Sequence, residues 1–422
     1  MKKVMCCPES LLPDPIDPDI LYFTTFYSTG REGIGHIAVD LPTAIRRDGL
    51  EPSVRAWDFA AIASAVAASD KAILRQDSAD GWTRMIELSI CLCEPAPWDA
   101  KRAELESLLG FLTGDFWTLR LLPGGKEVPK AKKPMNRSAD CVCLLSGGID
   151  SLVGAIDQTA AGKKPLFVSQ VVRGDRDAQA RFSSTLGSSN CHCQWSFAVG
   201  HPGSSEKSTR ARSIVFFAFA ALAASAVFSS KKQPVEIIVP ENGFISLNVP
   251  LGPGRLGSLS TKTTHPVYMT GIQALWDAVG IHASLSFPYR ERTKGELLLQ
   301  CADQKQLAAL IGDSTSCGKF QRHNLRHCGE CVPCMVRRAA FLRAQLPDIT
   351  AKGYCRQCLK TSESKDVAAA AAAYLRYRDK GIRRFVGGAL AFASQGERGR
   401  YEALVSRGMD ELGQLLIGHG VI

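Results

Sequence analysis

The sequence predicts an α/β fold built on a doubly wound parallel sheet, with a small metal module, an α+β N-terminal domain and a helical C-terminal tail. Three observations predict it. Short apolar runs alternate with helical stretches between residues 141 and 239, the pattern of a parallel sheet with crossover helices. Four cysteines crowd residues 317–334 with C-x-x-C spacing. An alanine run, Ala368–Ala373, opens a tail from Asp366, where strong helix propensity accounts for the low-complexity look.

The 422 residues allow two or three domains. A content of 45% hydrophobic and 22% charged residues is that of a globular chain and excludes extended disorder. The formal net charge is +10, part of it from Lys126, Lys130, Lys132, Lys133 and Arg137. That excess suits phosphate-bearing ligands, nucleotides or RNA, and equally a well-solvated surface. No apolar run follows Met1-Lys2-Lys3 as a secretory signal requires. The longest apolar stretch, Ile214–Phe228, falls short of the roughly 20 residues that span a bilayer. A buried helix, no membrane association and a cytoplasmic location are therefore expected. There the fifteen cysteines read as metal ligands or free thiols.

Residues 1–124 form the first unit, in which "SVRAWDFAAIASAVAASD" and "KRAELESLLGFLTG" have helical spacing and "WTRMIELSICLCEP" reads as a strand. Asp58, Asp70 and Arg84 beside these stripes read as caps and surface pairs. A Gly-, Pro- and Lys-rich linker, 125–139, follows. Next come strand Cys141–Leu145, helix Ser151–Ala161, strand Pro165–Val172, helix Ala178–Leu186, strand Gln194–Val199, helix Ser208–Phe228 and strand Val235–Val239. A helix follows Arg292, then the cysteine segment, and residues 346–422 are helical.

The chemistry concentrates in the turn after Cys141–Leu145, Ser146-Gly147-Gly148-Ile149-Asp150-Ser151. Two glycines let the backbone approach a ligand and take positive φ. Two serines supply hydroxyls, and the following helix offers unpaired N–H groups and a partial positive charge, together an anion cradle. Asp150 is placed to cap the helix or to hold a phosphate-bound magnesium ion. A Walker loop carries a lysine for the β and γ phosphates; this turn has none. Positive charge is available in "VVRGDRD" with Arg173 and Arg176, "TRARSIVFF" with Arg210 and Arg212, and "RTKGELLL" with Lys294.

The hexapeptide resembles the PP-loop of ATP pyrophosphatases. The order of PP-loop, Gly174-x-Arg176, Arg212-Ser213, Thr293-Lys294-Gly295-Glu296 and cysteine cluster is similar to that of the QueC family, the 7-cyano-7-deazaguanine synthases, over residues 140–345. The resemblance implies an adenine-nucleotide α-hydrolase-like fold. It further implies that ATP with Mg2+ adenylates a carboxylate, 7-carboxy-7-deazaguanine, releasing pyrophosphate, and that an amide or nitrile follows. By the same resemblance Ser146, Gly147, Gly148, Asp150, Ser151, Arg176, Arg212 and Lys294 bind ATP or its pyrophosphate, with Asp150 and Lys294 catalytic.

Cys317, Cys328, Cys331 and Cys334 suit a tetrahedral zinc ion, closed to catalysis and structural, in a module spanning 312–345. His323 and His327 are substitute ligands, Cys355-x-x-Cys358 is a competing pair, and an iron–sulfur cluster is an alternative use of four cysteines. QueC-type enzymes carry such a zinc site.

The chain departs from the family after its fourth strand. Glu241, Asn242, Asn248, Ser260, Thr261, Thr263, Thr264 and His265 there make a dense polar loop suited to closing over a ligand. His265 is a general-base candidate for an incoming amine, or a cap before Pro266. This segment, the N-terminal unit and the tail resemble a QueC-like branch found in anti-phage defence, where the nucleophile can be an amine on a partner protein of the same operon. Homodimerisation through an exposed tail is a further expectation from that family. Two other classes compete: an RNA-acting PP-loop enzyme such as a tRNA thiolase, using the basic linker and free cysteines, and a non-catalytic nucleotide-binding subunit.

Overall fold

The computed structural model describes residues 1–135, 138–187, 191–231, 233–251 and 262–422. Arg137, Ser260 and Thr261 of the sequence reading lie outside the described residues.

The molecule is α/β, with two mostly parallel sheets. The first unit supplies β1 (Lys2–Cys7), β2 (Ile20–Thr25), β3 (Gly35–Ile37), β4 (Met85–Leu92) and β5 (Phe116–Pro123). The second sheet uses β6 (Cys141–Leu144), β7 (Pro165–Val171), β8 (His192–Ser196), β10 (Val235–Ile238) and β11 (Ala283–Ser286), while β9 (Val199–Gly200) joins the first. The orders are β5-β4-β1-β2-β3-β9 and β11-β10-β6-β7-β8.

The expectation of an α+β first unit is corrected here. All pairings among β1–β5 are parallel, as β3 and β4 are joined through helix Val54–Ala72, and β4 and β5 through helix Arg102–Thr113. The antiparallel pairing, β3 with β9, is made by a strand that follows the second sheet's β8 in sequence. Nor is 125–139 a free tether. The Trp57 indole donates to the Lys126 carbonyl at 2.7 Å, and backbone bonds tie Gly125 to Leu92 and Met135 to Gly49.

Helix Val54–Ala72 and helix Arg212–Lys231 pack on each other. Each is apolar nearly all round, which is how a helix buried on every side reads. One continuous core takes in Phe59, Ile62 and Val66 from the first and Val215, Phe219 and Leu222 from the second. Each large apolar side chain buried there contributes roughly 1.5–3 kcal/mol, so the two sheets share their stabilisation.

The reading of Asp58, Asp70 and Arg84 as caps and surface pairs is corrected in one respect: all three are buried. Asp70 and Asp115 face Arg75 and Arg84 in a charge-balanced group, with Arg84 Nη2 2.5 Å from Asp70 Oδ1 and 2.6 Å from Asp115 Oδ2. Asp70 Oδ2 also accepts from the N–H groups of Arg210 and Ala211 at 2.6 and 2.7 Å. The first unit thereby fixes the start of helix Arg212–Lys231, because a carboxylate at a helix N-terminus satisfies donors that the helix leaves open. Asp58 accepts from the Cys93 and Glu94 N–H groups at 2.8 and 2.9 Å.

The tail forms helix Lys365–Val386, broken at Gly381, and helix Gln395–Gly418. It is docked against the rest of the chain. Tyr374, Leu404, Met409 and Leu412 share a core with Phe244 and Val336. Among the described residues, no helix is long and apolar enough to cross a membrane.

Candidate functional site

The second sheet begins at β6, moves outward to β8, then returns beside β6 at β10. Ligands in open parallel sheets bind beyond the carboxyl ends of the strands where the order reverses. A cavity of about 360 Å³ lies there, lined by Ser146, Gly148, Asp150 and Ser151 after β6, by Pro240 and Glu241 after β10, and by Thr264, Lys294, Thr315 and Ser316.

The turn has the form its composition predicts. Gly147 takes φ +92°, a conformation that costs glycine nothing. Gly148 lies so close to the Thr315 carbonyl that a Cβ would come within 3.2 Å of it. The Thr315 N–H donates to the Gly147 carbonyl at 2.8 Å. The Ser146 hydroxyl donates to Ser151 Oγ at 3.1 Å and accepts the Gly148 N–H at 3.3 Å. Hydroxyls and helix-start N–H groups therefore converge at the amino end of helix Ile149–Ala160, where an anion is favoured.

Lys294 is the cation that reaches this turn. It opens helix Lys294–Leu299 behind a Thr293/Glu296 capping box, and its Nζ donates to Asp150 Oδ1. Asp150 Oδ2 accepts from Asn242 Nδ2 at 2.7 Å and from the Asn242 N–H at 3.3 Å. Both Asp150 oxygens are thus engaged by protein donors, so Asp150 orients Lys294 and Asn242.

The other predicted cations lie elsewhere. Arg176 is exposed at the start of helix Arg176–Leu186 and does not line the cavity. Arg212 lines a neighbouring cavity of about 400 Å³ with Arg173, Gln170, Lys71 and Asp70. Asp175 connects the two regions. Burial raises its pKa, while the Thr315 hydroxyl and the Arg212 charge lower it, and its Cβ is 3.5 Å from where a side chain on Gly147 would begin.

His265 is not among the residues that line the cavity. It caps helix Pro266–Val279, its Nδ1 accepting the Val267 N–H at 3.3 Å. The rings of Phe111 and Phe392 flank it with centroids at 5.3 and 4.6 Å. Burial, and then the nearby Lys262 charge, pull its pKa down to about 4, so it stays neutral and occupied. The neighbouring Thr264 lines the cavity instead, 3.2 Å from Ser246 Oγ.

Glu241 was legible only as part of a polar loop. In the structure it enters the cavity between Thr264 and the Asp150–Lys294 pair. Burial, then repulsion from Asp150, raise its pKa to about 7, opposed by the Thr264 hydroxyl and Lys294.

The sulfurs of Cys317, Cys328, Cys331 and Cys334 all lie within 4.8 Å of one another, buried. The Cys328–Cys334 and Cys331–Cys317 separations are 3.9 and 4.0 Å, close to the roughly 3.8 Å edge of a tetrahedron with 2.3 Å metal–sulfur bonds. N–H groups of Lys319 and Cys328 point at Cys317 Sγ, each at 3.3 Å, as donors do around thiolates. The set suits a metal such as zinc, and the residues would hold it with no open position. Cys355 and Cys358 are exposed and outside the cluster. His327 is beside it, but its Nε2 accepts the Ser316 N–H at 3.1 Å, and His323 is likewise outside.

Helix Val332–Ala344 links this module to the cavity. Its buried Arg337 donates to the Ser314 carbonyl at 3.0 Å, to Ser314 Oγ at 2.8 Å and to Ser316 Oγ at 3.3 Å. Arg337 therefore fixes the strand-like segment whose Thr315 touches the glycine turn.

No protein-family model, curated protein or solved structure matches this chain.

Proposed function

We propose that the protein is a PP-loop ATP pyrophosphatase of QueC-like type, with ATP as substrate and a carboxylate as the group it activates. The observation that supports this most is the lysine-free serine–glycine turn facing Lys294 across one cavity at the sheet's reversal point. The turn's hydroxyls and N–H groups would hold the β and γ phosphates as a leaving unit, and Lys294 would offset charge as it develops. Attack by the carboxylate on the α-phosphorus forms the acyl-adenylate and expels pyrophosphate, turning a poor electrophile into one with a good leaving group. Magnesium enters as the counter-ion that ATP carries. Zinc in the four-cysteine module would be structural.

The carboxylate that fits the sequence resemblance is 7-carboxy-7-deazaguanine, ending as an amide or a nitrile. The N-terminal unit and tail resemble the QatC-like proteins of Qat anti-phage defence systems, which favours an amine on a partner protein as the final acceptor. The test is incubation with ATP, magnesium and 7-carboxy-7-deazaguanine, with and without neighbouring gene products, reading phosphate species and intact masses. Release of pyrophosphate with AMP, abolished by Asp150→Ala, is expected. Release of orthophosphate alone, or of nothing with any carboxylate, removes the proposal.

A further inference from the structure

The proposed reaction has a second half, in which an amine attacks the acyl-adenylate, and that half needs a proton acceptor. The residue that the sequence offered for it, His265, is spent as a helix cap between two phenyl rings. Asp150 is spent on Lys294 and Asn242. Among the described lining residues the remaining carboxylate is Glu241.

Its position follows from the fold. Glu241 leaves the carboxyl end of β10, next to the strand that carries the glycine turn. Asn242, its neighbour, is locked to Asp150 and caps helix Gly243–Ser246 by accepting the Ile245 N–H at 3.1 Å. The backbone at 241 is therefore fixed relative to the turn. The side chain lines both the main cavity and a small adjoining pocket shared with Ser246, Met269 and Arg290. A carboxylate so held, partly walled by apolar side chains, is the kind of group that takes protons near neutrality.

We infer that Glu241 is the general base of the second half-reaction, accepting the proton that the attacking amine loses. The inference rests on the proposed adenylation. The amine nitrogen attacks the acyl carbon and a C–N bond forms. The C–O bond to the phosphate breaks, AMP leaves with that electron pair, and one nitrogen-bound proton passes to the Glu241 carboxylate. The charged groups facing Glu241 are Asp150, which holds its proton on, and Lys294, which helps release it; Arg290 shares the small pocket with it.

The two halves are separable in the full-length protein. ATP–pyrophosphate exchange driven by 7-carboxy-7-deazaguanine reads adenylation without any amine; amide formation with ammonia as the probe amine reads the second half. Glu241→Gln is expected to lose amide formation by about 10²-fold or more beyond any change in exchange, the usual scale for a general base. With the rate expressed per unprotonated ammonia, wild-type amide formation should rise with pH through about 7, and that limb should vanish in Glu241→Gln. Glu241→Asp, which keeps the carboxylate, should recover part of the rate and guards against a folding defect. Equal loss of exchange and amide formation in both variants, or no loss in either, overturns the inference while adenylation stands. Absence of exchange in the wild type removes adenylation, and the inference with it.

Discussion

Asp150 and Lys294 show how far single residues could be read from the chain. The glycine turn was legible because its six residues are contiguous and encode one local backbone path. Lys294 was legible because it stands just before a helical stretch, in a segment whose place in the motif order carries the family resemblance; the Thr293/Glu296 capping box emerges only in the structure. The pairing of Asp150 with Lys294 across 144 residues was not legible, and neither was the pull of Asn242 on the second Asp150 oxygen. Glu241 stayed hidden among loop polars because only folding places it beside Thr264 and Asp150. The pair's side chains are 10% and 12% exposed, so breaking it from one side strands a mostly desolvated charge. Asp150→Asn should destabilise the protein by about 2 kcal/mol in urea unfolding, below the roughly 3–5 kcal/mol of a fully buried pair. Lys294→Met leaves Asp150 with Asn242 and should cost less stability, yet lower pyrophosphate release on the order of 10²-fold. Equal stability of the two variants would show that Lys294 does not depend on Asp150 for its place.

At the scale of elements, the alternation of strands and helices from 141 to 239 was legible because local hydrophobic period carries it. The tail's role was not, since the sequence marks residues 346–422 as helical without saying what they cover; helix Gln395–Gly418 is the part that matters here. It covers the Lys294 turn: the Thr293 hydroxyl donates to Glu411 Oε1, and the Gly295 N–H donates to Glu411 Oε2 at 3.3 Å. Arg407 joins the Glu296 carboxylate at 2.6 Å, and Arg290 donates to the Tyr401 hydroxyl at 2.6 Å. Burial raises the Glu411 pKa from 4.5 to about 7, against the hydrogen bonds from Thr293 and Gly295. A carboxyl whose folded pKa is raised binds its proton more tightly when folded. Its contribution is therefore complete below about pH 4.5 and is lost as pH rises through about 7. Glu411→Gln removes that titration, keeping an amide oxygen for the Gly295 N–H. Between pH 5 and 8 the wild type should lose up to about 3 kcal/mol relative to Glu411→Gln, measured as diverging thermal midpoints. Parallel pH profiles would exclude Glu411 as the titrating group.

For the whole molecule, the sequence reading divided what folding joins. A window of residues reports its own period but not its distant neighbour, so the shared core of helices Val54–Ala72 and Arg212–Lys231 and the strand lent as β9 left no local mark. The cysteine module is the counter-case, legible in its ligands because C-x-x-C spacing is local, and illegible in its reach. That reach runs through helix Val332–Ala344, where Cys334 and Arg337 sit one turn apart. Cys334 is tied to the sulfur cluster; Arg337 is tied to Ser314 and Ser316, and Thr315 between them bonds to Gly147. Removing a metal from four buried thiolates frees groups that repel or must take up protons, and the first turn of the helix loses its anchor. Chelation should therefore loosen more than the module. Hydrogen exchange should quicken over residues 311–358 and at the Gly147–Gly148 turn, which is remote in sequence from every cysteine ligand but one hydrogen bond from Thr315. Helix Val54–Ala72, fixed by the shared core and the Asp70–Arg84 group, should keep its protection. Cys331→Ser should reproduce the pattern without chelator, and metal analysis should show the loss of one ion per chain. Faster exchange confined to 317–358, with the glycine turn unchanged, would mean that the module is an appendage and that Arg337 transmits nothing to the cavity.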